Sequence, residues 1–196
     1  MPAMSANSQP PDAVLTAQQL AAALDARRQP YALGGAIALG FWATPRGTLD
    51  VDLTLFLPPE RATECLLLLQ ELDCDCPQTE TLQSFREHGF CRVTRRGVRL
   101  DVFLPQIEFY EQARQRRKHV ELGDQPIVIW DAETLCVFKM MFFRRKDIAD
   151  VEQVLRMQGR LLERSWIRDQ LEILYGARDP RLSQWDELDQ QIQVPS

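Results

Sequence analysis

An α/β (α+β) fold is predicted by three features of the 196-residue sequence. Apolar/polar alternation of strand type is confined to the first two thirds, helical periodicity fills the last third, and the pattern switches near Trp130. The expected layout is a Pro/Ser/Ala/Asn-rich, disordered lead-in over residues 1–12, a mixed-sheet core over 13–130, and a C-terminal helical lobe over 131–196.

Thr16-Ala-Gln-Gln19 resembles a capping box and opens a first helix that ends near Arg28-Gln29-Pro30. Tyr31–Leu33 reads as a short strand running into Gly34-Gly35, and Ala36–Trp42 as a short helix of good helix formers. After the Pro45-Arg46-Gly47 loop, Leu49–Leu57 alternates strongly and breaks at Pro58-Pro59. A helix over Glu60–Leu72 follows, with Pro59 suited to its first turn. Residues 73–89 carry no assigned element. Phe90–Arg95 and Val98–Leu104 form a hairpin about Arg96-Gly97, and Ile107–Lys118 is a charged helix. His119–Leu122 and Pro126–Trp130 make a second small hairpin. Four helices close the chain: Asp131–Lys146, Asp147–Gln158 stopped by Gly159, Leu162–Tyr175 stopped by Gly176, and Pro180–Ile192.

Composition narrows the function classes. Apolar residues make up 45% and charged residues 26%, which is ordinary for a globular protein, and no apolar run reaches the length of a membrane span. The odd count of five cysteines gives no disulfide framework, so a reduced, cytoplasmic setting is expected. A net charge of -5 argues against a protein that coats nucleic acid. Positive charge is nevertheless grouped at Arg92–Arg99, Arg114–Lys118 and Arg144–Lys146, where it is either a solvated face or a track for an anionic partner.

The chemistry-bearing stretch is Leu49-Asp-Val-Asp-Leu-Thr-Leu-Phe56. In a strand Asp50, Asp52 and Thr54 share one face and Val51, Leu53 and Leu55 the other. Two carboxylates about 7 Å apart along a strand repel each other and resist burial, and a divalent cation between them relieves both problems. Taken alone, Asp-x-Asp reads first as the exposed polar face of an edge strand, since the pattern is common. Its flanks add weight. Gly34-Gly35 ends a strand and opens a helix, a place where backbone can approach a phosphate and free N–H groups meet an anion. Arg46 and Thr48 bring a cation and a hydroxyl just before the carboxylates, and Asp101 is a lone acid within the apolar strand Val98–Leu104.

Gly34-Gly-Ala-Ile-Ala-Leu-Gly40, then Arg46-x-Thr-x-Asp-x-Asp52, then the hydrophobic-Asp101-hydrophobic strand resemble the motif set of the DNA polymerase beta-like nucleotidyltransferases. The small bacterial branches, with abortive-infection toxins and aminoglycoside nucleotidyltransferases, are the most similar. Phe138–Asp150 resembles the Lys-x(6)-Arg-x-Lys-Asp-x-x-Asp helical motif of the toxin-like branch, with four residues rather than six between Lys139 and Arg144. The resemblance covers roughly residues 31–155. It implies a mixed-sheet nucleotidyltransferase core in which Asp50, Asp52 and Asp101 bind two Mg²⁺ ions (Mn²⁺ is an alternative) and Asp101 helps deprotonate the attacking hydroxyl. Gly34, Gly35, Arg46, Thr48 and Lys139 become the candidate nucleotide contacts. Many members carry Gly-Ser where this chain has Gly34-Gly35, which leaves the phosphate grip to backbone N–H groups. Asp147 and Asp150 are read as helix-start acids.

The implied reaction transfers an NMP from an NTP such as ATP to a hydroxyl acceptor. An RNA or tRNA end is the leading acceptor expectation, bound across the arginine groups, Arg116 and Arg117 among them. A small molecule such as an aminoglycoside, or a protein side chain, is the alternative. A catalytically inactive nucleotide-binding protein, or one half of a toxin–antitoxin pair with an antitoxin partner, belongs to the same fold.

Overall fold

The computed structural model describes residues 12–192, so residues 1–11 of the expected lead-in lie outside the described residues. Asp12, its last residue, belongs to the folded unit. It caps α1 (Ala13–Ala26), its carboxylate accepting from the Leu15 N–H at 3.0 Å. The helix thus starts three residues before the Thr16 box, because the Asp12 carboxylate already satisfies the first-turn N–H.

The next elements follow the sequence pattern closely: β1 (Tyr31–Leu33), α2 (Gly35–Trp42) and β2 (Asp50–Leu55). A short 3₁₀ turn at Pro59–Arg61 leads into α3 (Ala62–Glu71). Then comes α4 (Gln78–His88), where no element was expected. Only Thr81 and Phe85 of this polar helix are buried, too few to register as an apolar stripe, and Gly89 ends it in the left-handed conformation (φ 62°). The hairpin is β3 (Phe90–Arg95) and β4 (Val98–Phe103), followed by α5 (Phe109–Arg116), β5 (Lys118–Leu122) and β6 (Gln125–Ile129).

The remaining helices are α6 (Ala132–Phe142), α7 (Arg145–Gln158), α8 (Arg164–Tyr175) and α9 (Pro180–Gln191). The helix expected over Asp131–Lys146 stops early because Phe143 turns left-handed (φ 55°). Asp147 moves from the head of the next helix to its third residue, where its carboxylate accepts from the Arg144 N–H at 3.3 Å.

The six strands form one mixed sheet in the order β3-β4-β2-β1-β6-β5. β2 runs parallel to β4 and antiparallel to β1, while β1 runs parallel to β6. One face of β2 and β4 (Val51, Leu53, Leu55, Val98, Leu100, Val102) is sealed in the core, with α1 packed against both strands. The other face presents Asp50, Asp52, Arg99, Asp101 and Phe103 toward α2, α6 and the start of α7. All five cysteines are free and buried, consistent with small apolar fillers. Among the described residues, no helix is long and apolar enough to cross a membrane.

Candidate active site

Register decides which acids meet. Asp52 pairs directly with Asp101 across the parallel β2–β4 ladder, and Asp50 with Arg99. Because side chains alternate in both strands, all four project from one sheet face. They floor a cleft of about 870 Å³, counted with its open mouth. Gly34, Gly35 and Ala36 form one wall, Trp130 and α6 (Leu135, Phe138, Lys139, Phe142) another, and Arg144 and Lys146 stand at the rim. The structure therefore brings Gly34, Gly35, Arg46, Asp50, Asp52, Asp101 and Lys139 to one cavity. Thr48 is placed one step back: its hydroxyl donates to the Asp50 carboxylate at 2.8 Å.

Gly35 has φ 55°, and a Cβ there would land on the Asp52 carboxylate. A side chain is excluded, and the backbone of the turn lies directly against the acid. Gly34 has a different duty from the one expected. Its N–H is spent on the Asp52 carbonyl at 2.9 Å, so it locks the turn to β2 and has no proton to offer a phosphate. The first N–H groups of α2, from Gly35, Ala36 and Ile37, have no acceptor within the helix, and no side chain caps it.

The electrostatics of the three acids differ. Burial pushes the Asp52 carboxyl up to about 6, and the neighbouring charges of Asp101 and Asp50 add to the shift. No hydrogen bond reaches its carboxylate among the described residues. Asp50 sits lower than usual: burial works against it, but hydrogen bonds from Thr48 and Arg99 prevail. Asp101 is gripped in a two-bond fork by Arg92, at 2.7 and 3.2 Å, with Arg99 at 3.9 Å.

These side chains bear on a divalent cation. Hard oxygen donors on one face, an Asp52 carboxylate with no partner and a glycine turn against it suit Mg²⁺. As the rotamers stand, among the described residues no three acidic, histidine or cysteine side chains converge into a metal cage. The reason is visible: Arg92 and Arg99 hold Asp101 and Asp50, and both arginines are about half exposed, free to turn outward. The residue types and their placement fit; two side-chain rotamers would have to change.

The other expected contacts form a support beneath the cleft. Lys139, buried on α6, donates to Asp150 at 2.7 Å and lies 3.5 Å from Asp147. Arg46 reaches Asp150 with two bonds, at 3.2 and 3.1 Å, tying its loop to α7. Asp147 also takes Arg144 at 2.6 Å. The helix-start acids are thus the counter-ions of the cleft's buried lysine. Cleft residues that the sequence reading missed are Tyr110, Trp130 and Phe138, while Arg92 and Lys146 were expected in the arginine groups. Lys146 also has a place in the helical motif. It makes no ion pair among the described residues, and its charge bears on Asp50 and Asp52.

Arg116 and Arg117, expected within an arginine track, are engaged by other groups of the chain. Arg116 is consumed by Asp131 (2.6 Å), Glu133 (3.2 Å) and Glu163 (3.0 Å) and lies over the Trp166 ring. Arg117 donates to the Tyr31 carbonyl at 2.8 Å and packs on Phe56. Both are structural ties, because three acids meet Arg116 and the carbonyl of the buried Tyr31, distant in sequence, meets Arg117.

No protein-family model matches the sequence, and no curated protein resembles it significantly in sequence. Similarity appears in three dimensions. The solution structure of the antibiotic-resistance factor ANT(2'')-Ia superposes with a TM-score of 0.57 at 17% identity, covering 91% of this chain and 97% of that one. The crystal structure of ANT(2'')-Ia in complex with adenylyl-2''-tobramycin gives 0.53 at 16% identity, over 89% and 97%. The mixed sheet and its helical C-terminal region therefore share the fold of these ANT(2'')-Ia structures.

Proposed function

We propose that the protein is a metal-dependent nucleotidyltransferase that moves an NMP from an NTP to a hydroxyl acceptor. The observation that carries this reading is the direct register of Asp52 with Asp101, beside a glycine turn that no side chain can enter. Asp50, Asp52 and Asp101 would hold Mg²⁺ or Mn²⁺. When bound, the ions neutralise phosphate charge and stabilise the attacking and leaving oxygens.

The protein's own groups divide the remaining work. The open N–H groups at the start of α2 would face the phosphates, with Lys146 and Arg99 as cations lining the cleft. The acceptor oxygen forms a bond to the α-phosphorus, the bond from that phosphorus to the bridging oxygen breaks, and pyrophosphate leaves. Asp101 takes the hydroxyl proton, which requires Arg92 to release one of its oxygens. Lys139 is a positioning residue: with Asp147 and Asp150 it fixes α6 against α7 along the cleft wall.

A small acceptor is favoured over an RNA end. Arg116 and Arg117 are tied down, which removes the middle of the basic track. Calorimetry with each of the four NTPs, with Mg²⁺ and with EDTA, tests the reading, followed by radiolabel transfer into RNA, protein and small-molecule fractions. The expected result is nucleotide binding that requires the cation and label in the small-molecule fraction. Equal affinity in EDTA would overturn the metal site.

A further inference from the structure

Beyond Asp101, on the side away from the glycine turn, lies a second groove of about 1140 Å³ counted with its mouth. It continues the catalytic cleft, sharing Asp52, Asp101 and Tyr110 with it. Sheet order fixes its relation to the phosphate site. β1 and its glycine turn flank β2 on one side, whereas β4 and then β3 flank it on the other. An in-line displacement brings its acceptor from the side opposite the leaving phosphates. On the transfer reading above, on which this inference rests, the groove is where an acceptor enters.

Its lining states a chemistry. Phe90, Phe103 and Phe142 run as a chain of ring contacts, 5.0 and 6.1 Å between centroids. Phe142 is 49% exposed and Ile107 39%, so apolar surface is offered to solvent at the mouth. The cations are Arg92 and Arg144, and the acids are Asp52 and Asp101 alone, already assigned to metal and proton. Both guanidinium groups are already paired, Arg92 with Asp101 and Arg144 with Asp147, so an amine-rich acceptor would find no carboxylate in the groove beyond the two assigned acids.

Tyr110 supplies the polar handle. The residue is 9% exposed, its ring packs on Phe138 at 5.2 Å, and its hydroxyl makes no hydrogen bond among the described residues. The hydroxyl is open to the cavity rather than sealed in the core and is left without a protein partner among the described residues. Here it borders both cavities, so a ligand atom can be that partner.

We propose that this groove is the acceptor subsite and takes a small hydroxyl compound with a flat apolar ring, neutral or anionic, hydrogen-bonded by Tyr110. An amine-rich sugar such as tobramycin is the class it disfavours. The test uses 4-hydroxycinnamate and tobramycin as probes on the full chain, with and without a non-hydrolysable ATP analogue and Mg²⁺, read by calorimetry and saturation-transfer NMR. The expected result is ring-proton saturation of 4-hydroxycinnamate and an affinity at least about tenfold above that of tobramycin. Tyr110→Phe should weaken that probe by about tenfold, the effect of one hydrogen bond, and leave the melting temperature and the analogue's affinity unchanged. Ile107→Glu should shift preference toward tobramycin. The proposal is overturned if neither probe binds, if tobramycin binds as well or better, if a single-stranded oligonucleotide displaces 4-hydroxycinnamate, or if Tyr110→Phe lowers the melting temperature. Probe binding with no analogue binding leaves the ligand class standing and overturns the transfer reading instead.

Discussion

Asp52 and Asp101 stand side by side in the parallel β2–β4 ladder, Cα opposite Cα, on the one sheet face not sealed by core. Two acids from strands about fifty residues apart are held in mutual repulsion by the backbone. A fold keeps such an arrangement when a ligand relieves it.

Asp52→Asn is therefore expected to stabilise the ligand-free protein at neutral pH while abolishing cation-dependent nucleotide binding. The folded carboxyl titrates near 6 against an ordinary 3.8, so the folded state binds the proton more tightly than the unfolded chain does. The resulting penalty is absent below about pH 4, grows as pH rises and is complete above about 6. Urea denaturation in EDTA should show a gain of about 1–3 kcal/mol at pH 7 that vanishes by pH 4. A variant less stable at pH 7 would make Asp52 a structural residue.

Asp101→Asn should keep the fold and much of the NTP affinity and lower kcat by on the order of 10²-fold or more. Asn keeps the shape but offers Arg92 one acceptor oxygen in place of two, and because the Arg92 side of the pair is more than half exposed, little stability is at stake. Single-turnover kinetics beside a melting curve distinguish loss of chemistry from loss of fold.

Gly35→Ala places a Cβ on the Asp52 carboxylate and forces a side chain into the left-handed region. A loss of at least about 1–2 kcal/mol follows from the backbone alone, and nucleotide affinity should fall with it. Gly47→Ala is the control, since nothing lies within 4 Å of a Cβ there.

Asp147 is fully buried; burial works to raise its carboxyl, yet the Arg144 hydrogen bonds and the Lys139 charge hold it below the ordinary 3.8. Its stabilising contribution is present above about pH 4 and is lost as pH falls through the lower folded value. Asp147→Asn should cost about 3 kcal/mol at pH 7, the scale of breaking a buried ion pair, and the gap to the parent should close as the pH is taken below 4. A gap that does not change with pH would mean that packing, not charge, supplies the stability.

Arg116→Glu should unfold or strongly destabilise the chain, by on the order of 2 kcal/mol or more, because Asp131, Glu133 and Glu163 would face a fourth acid. Chemical denaturation reads this directly. A stable variant with altered acceptor binding would restore the basic track.

The sequence alone determined what depends on neighbours along the chain. The alternation of Leu49–Leu57 put Asp50 and Asp52 on one face, Gly34-Gly35 marked the turn before a helix, and Arg96-Gly97 closed the hairpin that carries Asp101. These are period-two and turn rules, satisfied within a few residues. Tertiary structure decided the rest. The break at Phe143 and the polar helix α4 leave no local apolar signature. That Gly34 spends its N–H on Asp52, that Lys139 meets Asp147 and Asp150, and that Arg116 serves three acids depends on which chain segments converge. Tyr110 was indistinguishable from any core aromatic until its hydroxyl lacked a partner beside the carboxylates. Hydrogen-bond satisfaction and charge pairing are properties of the packed whole, because each polar group's partner is supplied by sequence-distant segments that burial forces together.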